Sequence, residues 1–117
     1  FPPYAPDDEN PEIVENWLPL FDAHHVDFVL TGHVHNYLRT YPMKAGQRVE
    51  STRDGTIYCI TVSVGGRPQA IPKPEYAAVF DASGTPLCVA FQVDSRTVTS
   101  RAFDKSGKIV DEYTVAK

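Results

Sequence analysis

Residues 26–37 constrain this chain more than any other stretch. A nearly wholly apolar run, Val26-Asp27-Phe28-Val29-Leu30, leads into Thr31-Gly32, and two histidines, His33 and His35, follow one residue apart. An apolar run of strand length predicts a β-strand covered on both faces, as in a parallel sheet. In extended backbone, residues two apart project to the same side, so His33 and His35 are expected to aim at one small volume. Imidazole is a frequent ligand of borderline metals, and open sheets hold ligands in the crevice beyond the carboxyl ends of their strands. The expectation is a metal-binding corner of which this chain holds only part.

The flanking sequence predicts an α+β fold with one N-terminal helix followed by a mostly antiparallel sheet. Residues 1–10 form a proline-rich, acidic lead-in, and Asn10-Pro11 has the pattern of an N-cap followed by proline at the first helical position. Glu9 and Glu12 sit near the positive end of the helix dipole. Ile13, Val14, Trp17, Leu18 and Phe21 recur at helical spacing as one apolar stripe, and Trp17 is expected in the core. Pro19 is expected to kink or divide the helix. His24 and His25 read as residues that close it, where a cationic side chain favours the negative end.

Beyond the histidines, residues 44–53 are polar and read as an exposed loop, and Asp54-Gly55 as a turn. Residues 56–64, rich in β-branched side chains, predict a strand that Gly65-Gly66 ends. Residues 67–75 form a connecting loop with Arg67 exposed in it. Four further strands are expected at 76–80, 86–93, 96–103 and 108–115, joined by glycine- and aspartate-bearing turns into an antiparallel meander. Leu87, Val89, Phe91 and Val93 alternate and are expected to face a core.

Composition narrows the partners. A chain of 117 residues is one domain's worth. A net charge of -4 leaves no basic footprint for nucleic acid, and no apolar segment approaches the roughly 18 residues of a membrane span. Cys59 and Cys88 fall in separate strand-like segments and are expected as buried thiols, with one disulfide left open. The chain begins at Phe1, its single methionine is Met43, and no signal-like segment precedes the first element. It is therefore expected to be cut, either processed from a longer precursor or a fragment of a larger protein.

His-x-His alone is weak evidence, but its placement after an apolar strand narrows the choices. Cupin-type barrels need a glutamate four or five residues later, where this chain has Arg39 and Thr40. Amidohydrolase barrels alternate strands with helices, which a terminal meander does not suit. Residues 26–39, Val-Asp-Phe-Val-Leu-Thr-Gly-His-Val-His-Asn-Tyr-Leu-Arg, resemble the last metal-binding block of the calcineurin-like metallophosphoesterases. The purple-acid-phosphatase-like branch is the nearest, with Gly-His-Val-His followed by x-Tyr-Glu-Arg. Tyr37 and Arg39 match, and Leu38 stands where that glutamate would be. Pro2-x-Tyr4 resembles the tail of the family's His-x-Pro-x-Tyr segment, and residues 54–58 with Gly65-Gly66 resemble the strand and glycine pair that follow the histidine block.

The resemblance implies that the chain is the C-terminal part of a four-layer α/β/β/α sandwich. It implies that His33 and His35 each serve one ion of a binuclear pair of iron, zinc or manganese, divalent or trivalent, which hydrolyses a phosphate ester with activated water. The family's Asp-x-His, Gly-Asp-x-x-Asp or Tyr, and Gly-Asn-His-Asp or Glu blocks have no counterpart here. No catalytic residue is therefore assigned, and the chain alone is expected to hold metal weakly and to lack measurable activity. Asn36 is a candidate contact to substrate or metal-bound water, its plainer reading a turn-stabilising side chain. Arg39 is a candidate phosphate contact, its plainer reading a structural one. The branch resembled favours a secreted or periplasmic setting. An apolar face left by the missing half is expected to drive homodimerisation or strand exchange. The rival reading is a non-catalytic β-rich interaction module with structural histidines.

Overall fold

The helix α1 spans Pro11–Ala23 without division, running through Pro19. Of the expected kink or division, the division is absent, although proline leaves the Glu15 carbonyl without its usual donor. The computed structural model describes residues 4, 11–61, 67 and 70–116, so the expected cap at Asn10 and the glycine pair at 65–66 lie outside the described residues. The helix closes as His24 and His25 suggest, but through backbone geometry. Val26 N–H donates to Phe21 C=O at 3.1 Å and His25 N–H to Asp22 C=O at 3.4 Å, while His25 takes a φ of 50°. This is a Schellman closure with histidine in the left-handed position that glycine usually fills. Leu18 is the buried residue of the stripe. Trp17, expected in the core, is 57% exposed; it leans edge-on against Phe21, ring centres 6.1 Å apart.

Among the described residues nine strands follow: β1 Phe28–Thr31, β2 Tyr37–Thr40, β3 Met43–Lys44, β4 Gln47–Arg48, β5 Ile57–Thr61, β6 Ala77–Asp81, β7 Leu87–Val93, β8 Thr97–Asp104 and β9 Ile109–Ala116. The first sheet has the order β1-β5-β2-β6. β1 is parallel to β5, and β2 is antiparallel to both β5 and β6. The expectation for β1 needs correction: among the described residues it is an edge strand, and Leu30 is 50% exposed. Residues 76–80 were expected in the meander. Instead β6 joins the first sheet, and the meander is the three-stranded β7-β8-β9. The loop expected at 44–53 contains the hairpin β3–β4, whose two-residue turn puts Ala45 at φ 49° and Gly46 at φ 78°, both positive as a type I′ turn requires.

The first sheet is the middle of three layers. Side chains alternate along a strand, so Tyr58 and Ile60 point one way from β5 and Cys59 the other. Tyr58 packs with Leu18, Met43, Val14 and Phe21 beneath α1. Tyr4, in the lead-in, also packs there, edge-on to Tyr58 at 4.7 Å. On the opposite face Tyr37 and Cys59 meet Leu87, Val89 and Ala102 of the meander. Cys88 sits on the outer side of β7 and is exposed, against expectation, and both cysteines are free. The alternation of β7 holds for Leu87, Val89 and Phe91 but fails at Val93, which is exposed where the strand reaches its turn.

Candidate metal centre

The candidate ligands lie on the connection from β1 to β2. Because β1 and β5 are parallel, with Thr31 opposite Ile60, the chain leaves both strands at the same end of the sheet. That is the end where open sheets hold ligands. Residues 33–36 are bent, not extended, which corrects the strand geometry expected for the two histidines. Val34 N–H donates to Gly32 C=O at 3.0 Å, and His33 between them takes a φ of 76°. A γ-turn with a positive central φ is rare and strained. Such a conformation in a residue with a Cβ costs roughly 1–3 kcal/mol, and strain of this kind concentrates at functional sites. Val34 anchors the bend, buried against Leu38, Ile60 and Ala77. His33 and His35, on either side of it, are exposed.

His35 has a defined partner. Its Nδ1 lies 3.1 Å from the backbone carbonyl of Arg67. A carbonyl only accepts, so Nδ1 carries the proton, and in the neutral ring the Nε2 lone pair is left for another partner. Metal-ligating histidines commonly have their second ring nitrogen fixed in this way. Arg67, an exposed residue as expected, contributes its backbone here.

Arg39 and Asn36 are placed differently from the histidines. Arg39 is buried and bidentate to Asp111 of β9, Nε to Oδ2 at 2.7 Å and Nη2 to Oδ1 at 3.0 Å. Its guanidinium also stacks 4.2 Å from the centre of the Tyr113 ring. The guanidinium named above as a candidate phosphate contact is thus committed to joining the two sheets. Asn36 is 1% exposed, beneath the bend and not at its surface. The Tyr37 hydroxyl donates to the same Asp111 Oδ2 at 2.8 Å. Burial works to raise the Asp111 carboxyl, but hydrogen bonds from Arg39 and Tyr37 outweigh it and hold it below the usual carboxylate range. Burial, then the neighbouring Cys59 and Asp111, drive the Tyr37 phenol upward, so it stays a hydrogen-bond donor at any ordinary pH. The Cys59 thiol is pushed up by burial to about 11, which marks it as an inert packing residue.

No protein-family model matches the chain. A nucleotide pyrophosphatase/phosphodiesterase of Hordeum vulgare is 31% identical over 92% of this chain and 32% of its own length. Two uncharacterised proteins of Mycobacterium tuberculosis are 50% identical over 32 residues, 27% of this chain and 6% of each of them. Among solved structures, a purple acid phosphatase from yellow lupin (Lupinus luteus) seeds matches with a TM-score of 0.66 and 20% identity, over 85% of this chain and 19% of that one. This chain shares its fold with that phosphatase over the matched part. Its helix, mixed sheet and antiparallel meander have the fold of part of a purple acid phosphatase, and it spans 32% or less of each of these four proteins.

The donors present fit such a centre in part. Two imidazoles suit iron or zinc, but among the described residues no group of three or more His, Cys, Asp or Glu side chains converges as a metal shell. A cleft of about 330 Å³, lined by Asp22, His25, Asp27, Arg53 and Asp54, lies elsewhere. Asp27 precedes β1 and Asp54 precedes β5, so this cleft is at the amino end of the parallel pair, opposite the histidine bend. Sequence reasoning missed the Asp111 clasp. Its signal was a lone carboxylate at an inward position of a strand, with Tyr113 and Val115 following at spacing two.

Proposed function

We propose that this chain supplies the histidine-bearing part of a metal-dependent phosphoesterase. His33 and His35 each donate an imidazole nitrogen to one ion of a binuclear iron, zinc or manganese pair, and carboxylates from outside this chain complete the shell. The observation that carries this reading is the bend itself: two exposed imidazoles beyond the carboxyl end of a parallel pair, one on a strained backbone and the other fixed as the Nδ1–H tautomer by Arg67 C=O. When bound, such ions supply Lewis-acid activation of water and neutralise charge on the phosphate. The chain's own residues set direction. The Arg67 carbonyl holds the His35 ring, and buried Val34 holds the backbone between the ligands.

The substrate of this reading is a phosphate ester, and with two donors the chain alone binds metal weakly and turns over none. Calorimetric titration of zinc or manganese into the chain and into a His33→Ala, His35→Ala double variant tests the ligands. Heat of binding in the first and none in the second is expected. Identical isotherms would instead favour an interaction module with structural histidines. Hydrolysis of p-nitrophenyl phosphate by the chain alone, lost in the double variant, would refute the requirement for outside carboxylates.

A further inference from the structure

The bend carrying the two histidines is strained, so something must hold it. On its entering side, the Thr61 hydroxyl donates to Thr31 C=O at 3.2 Å, securing the end of β1 to the end of β5. Within it, Val34 is buried. Its leaving side runs straight into Tyr37, the first residue of β2, two positions after His35. Tyr37 is 2% exposed, and its hydroxyl reaches across to Asp111, which also grips Arg39 two residues further along β2. Asp111 thus accepts three hydrogen bonds from alternate residues of the strand that begins where the bend stops. Strand irregularities flank this clasp on both sides. The β2–β6 register shifts between Arg39 and Thr40, leaving Ala78 as the extra residue, and the β8–β9 register shifts between Ala102 and Phe103, leaving Val110. Bulges of this kind re-aim neighbouring side chains.

We propose that Asp111 is a positioning residue for the histidine bend: from the meander, through Tyr37 and Arg39, it fixes the start of β2 and thereby the backbone at His33–Asn36. The relevance of this to metal rests on the function proposed above, but the positioning itself does not. Without the carboxylate, the Tyr37 hydroxyl and the Arg39 guanidinium are buried donors that lose the acceptor they share, and such groups move to find another. The bend then samples other conformations, and an ion that needs both imidazoles in place must order them on binding.

Two readouts separate the positioning from the metal reading. Amide hydrogen exchange of Val34, measured by NMR without metal, reports the bend. Asp111→Asn is expected to speed it about tenfold or more, and Tyr37→Phe, which keeps the Arg39 pair and so the fold, to speed it by a smaller factor. Val115→Ala, which loosens the inner face of β9 away from the clasp, serves as the control for general destabilisation and is expected to leave Val34 exchange within about twofold. Unchanged exchange in both clasp variants, or an equal rise in Val115→Ala, overturns the proposal. Zinc affinity is measured alongside. A loss of about 10–100-fold in Asp111→Asn, the range for partners that orient metal ligands, is expected. If the unsubstituted chain takes up no zinc while Val34 exchange responds, the metal reading fails and the positioning stands.

Discussion

Gly55 shows how tightly single residues are held in the layer under α1. Its neighbour Thr56 exchanges two backbone hydrogen bonds with Met43, each 2.9 Å, and this draws the two segments together. A Cβ on residue 55 would lie 2.9 Å from the Met43 carbonyl oxygen, 3.0 Å from the Met43 nitrogen and 2.6 Å from a Val49 methyl. Two of those atoms are backbone and cannot swing aside. Gly55→Ala is therefore expected to destabilise by about 1–3 kcal/mol, read as a lower urea midpoint with an unchanged slope. From sequence, Asp54-Gly55 read as a turn; the glycine is required by close approach. The two histidines show the converse. Their exposure and place beyond the strand follow from an apolar run ending at Gly32, but no propensity places a histidine at φ 76°. That needed Val34 and Tyr37, which follow it, to be pulled inward.

The end of α1 is an element-scale case of a local rule obeyed with the wrong residue. The Schellman closure is complete in its hydrogen bonds, yet His25 occupies the left-handed position at φ 50°. A side chain there crowds the following carbonyl. His25→Gly relieves that crowding and is expected to stabilise by about 0.5–1 kcal/mol net of glycine's greater chain entropy, seen as a rise in melting temperature. Other elements divide by how local their causes are. The helix and the three meander strands emerge within a few residues of their expected bounds, because hydrophobic period and turn residues act over short distances. β2 was not anticipated as a strand, and β6 was assigned to the wrong sheet. Both are short, and β6 reaches its partner only by crossing to β2. Trp17 fits the helical stripe, but the available inward surface is taken up by Leu18 and its neighbours.

At the scale of the whole molecule, the Asp111 clasp joins the mixed sheet to the meander, and both its side chains are under a tenth exposed. Removing one partner of a buried pair typically costs about 3–5 kcal/mol, so the clasp sets how the molecule responds to acid. In the unfolded chain Asp111 titrates near the ordinary value of about 3.9; in the folded protein it is held lower. Its contribution is thus complete above about pH 4 and lost as pH falls through the folded value. Asp94, exposed in its turn, and Asp104, at the end of β8, are also lowered, first by hydrogen bonds from Arg96 and Ser106 respectively, and add to the same limb. Melting temperature is expected to drop steeply below about pH 4, and Asp111→Asn to lower the plateau while flattening part of that drop. A profile of unchanged steepness in Asp111→Asn would show that the clasp does not govern acid unfolding.

The linear order of residues by itself determined the α+β class, the helix, the hairpin-built meander and the pair of histidines beyond a strand. Each is encoded in periodicity or turn chemistry spanning only a few neighbours. Tertiary structure alone decided that β1 stands at an edge among the described residues and that Arg39 turns to Asp111, 72 residues away. It alone decided that Arg67 C=O meets His35, because those outcomes depend on which distant backbones the sheet order brings together. Local propensity carries no information about that.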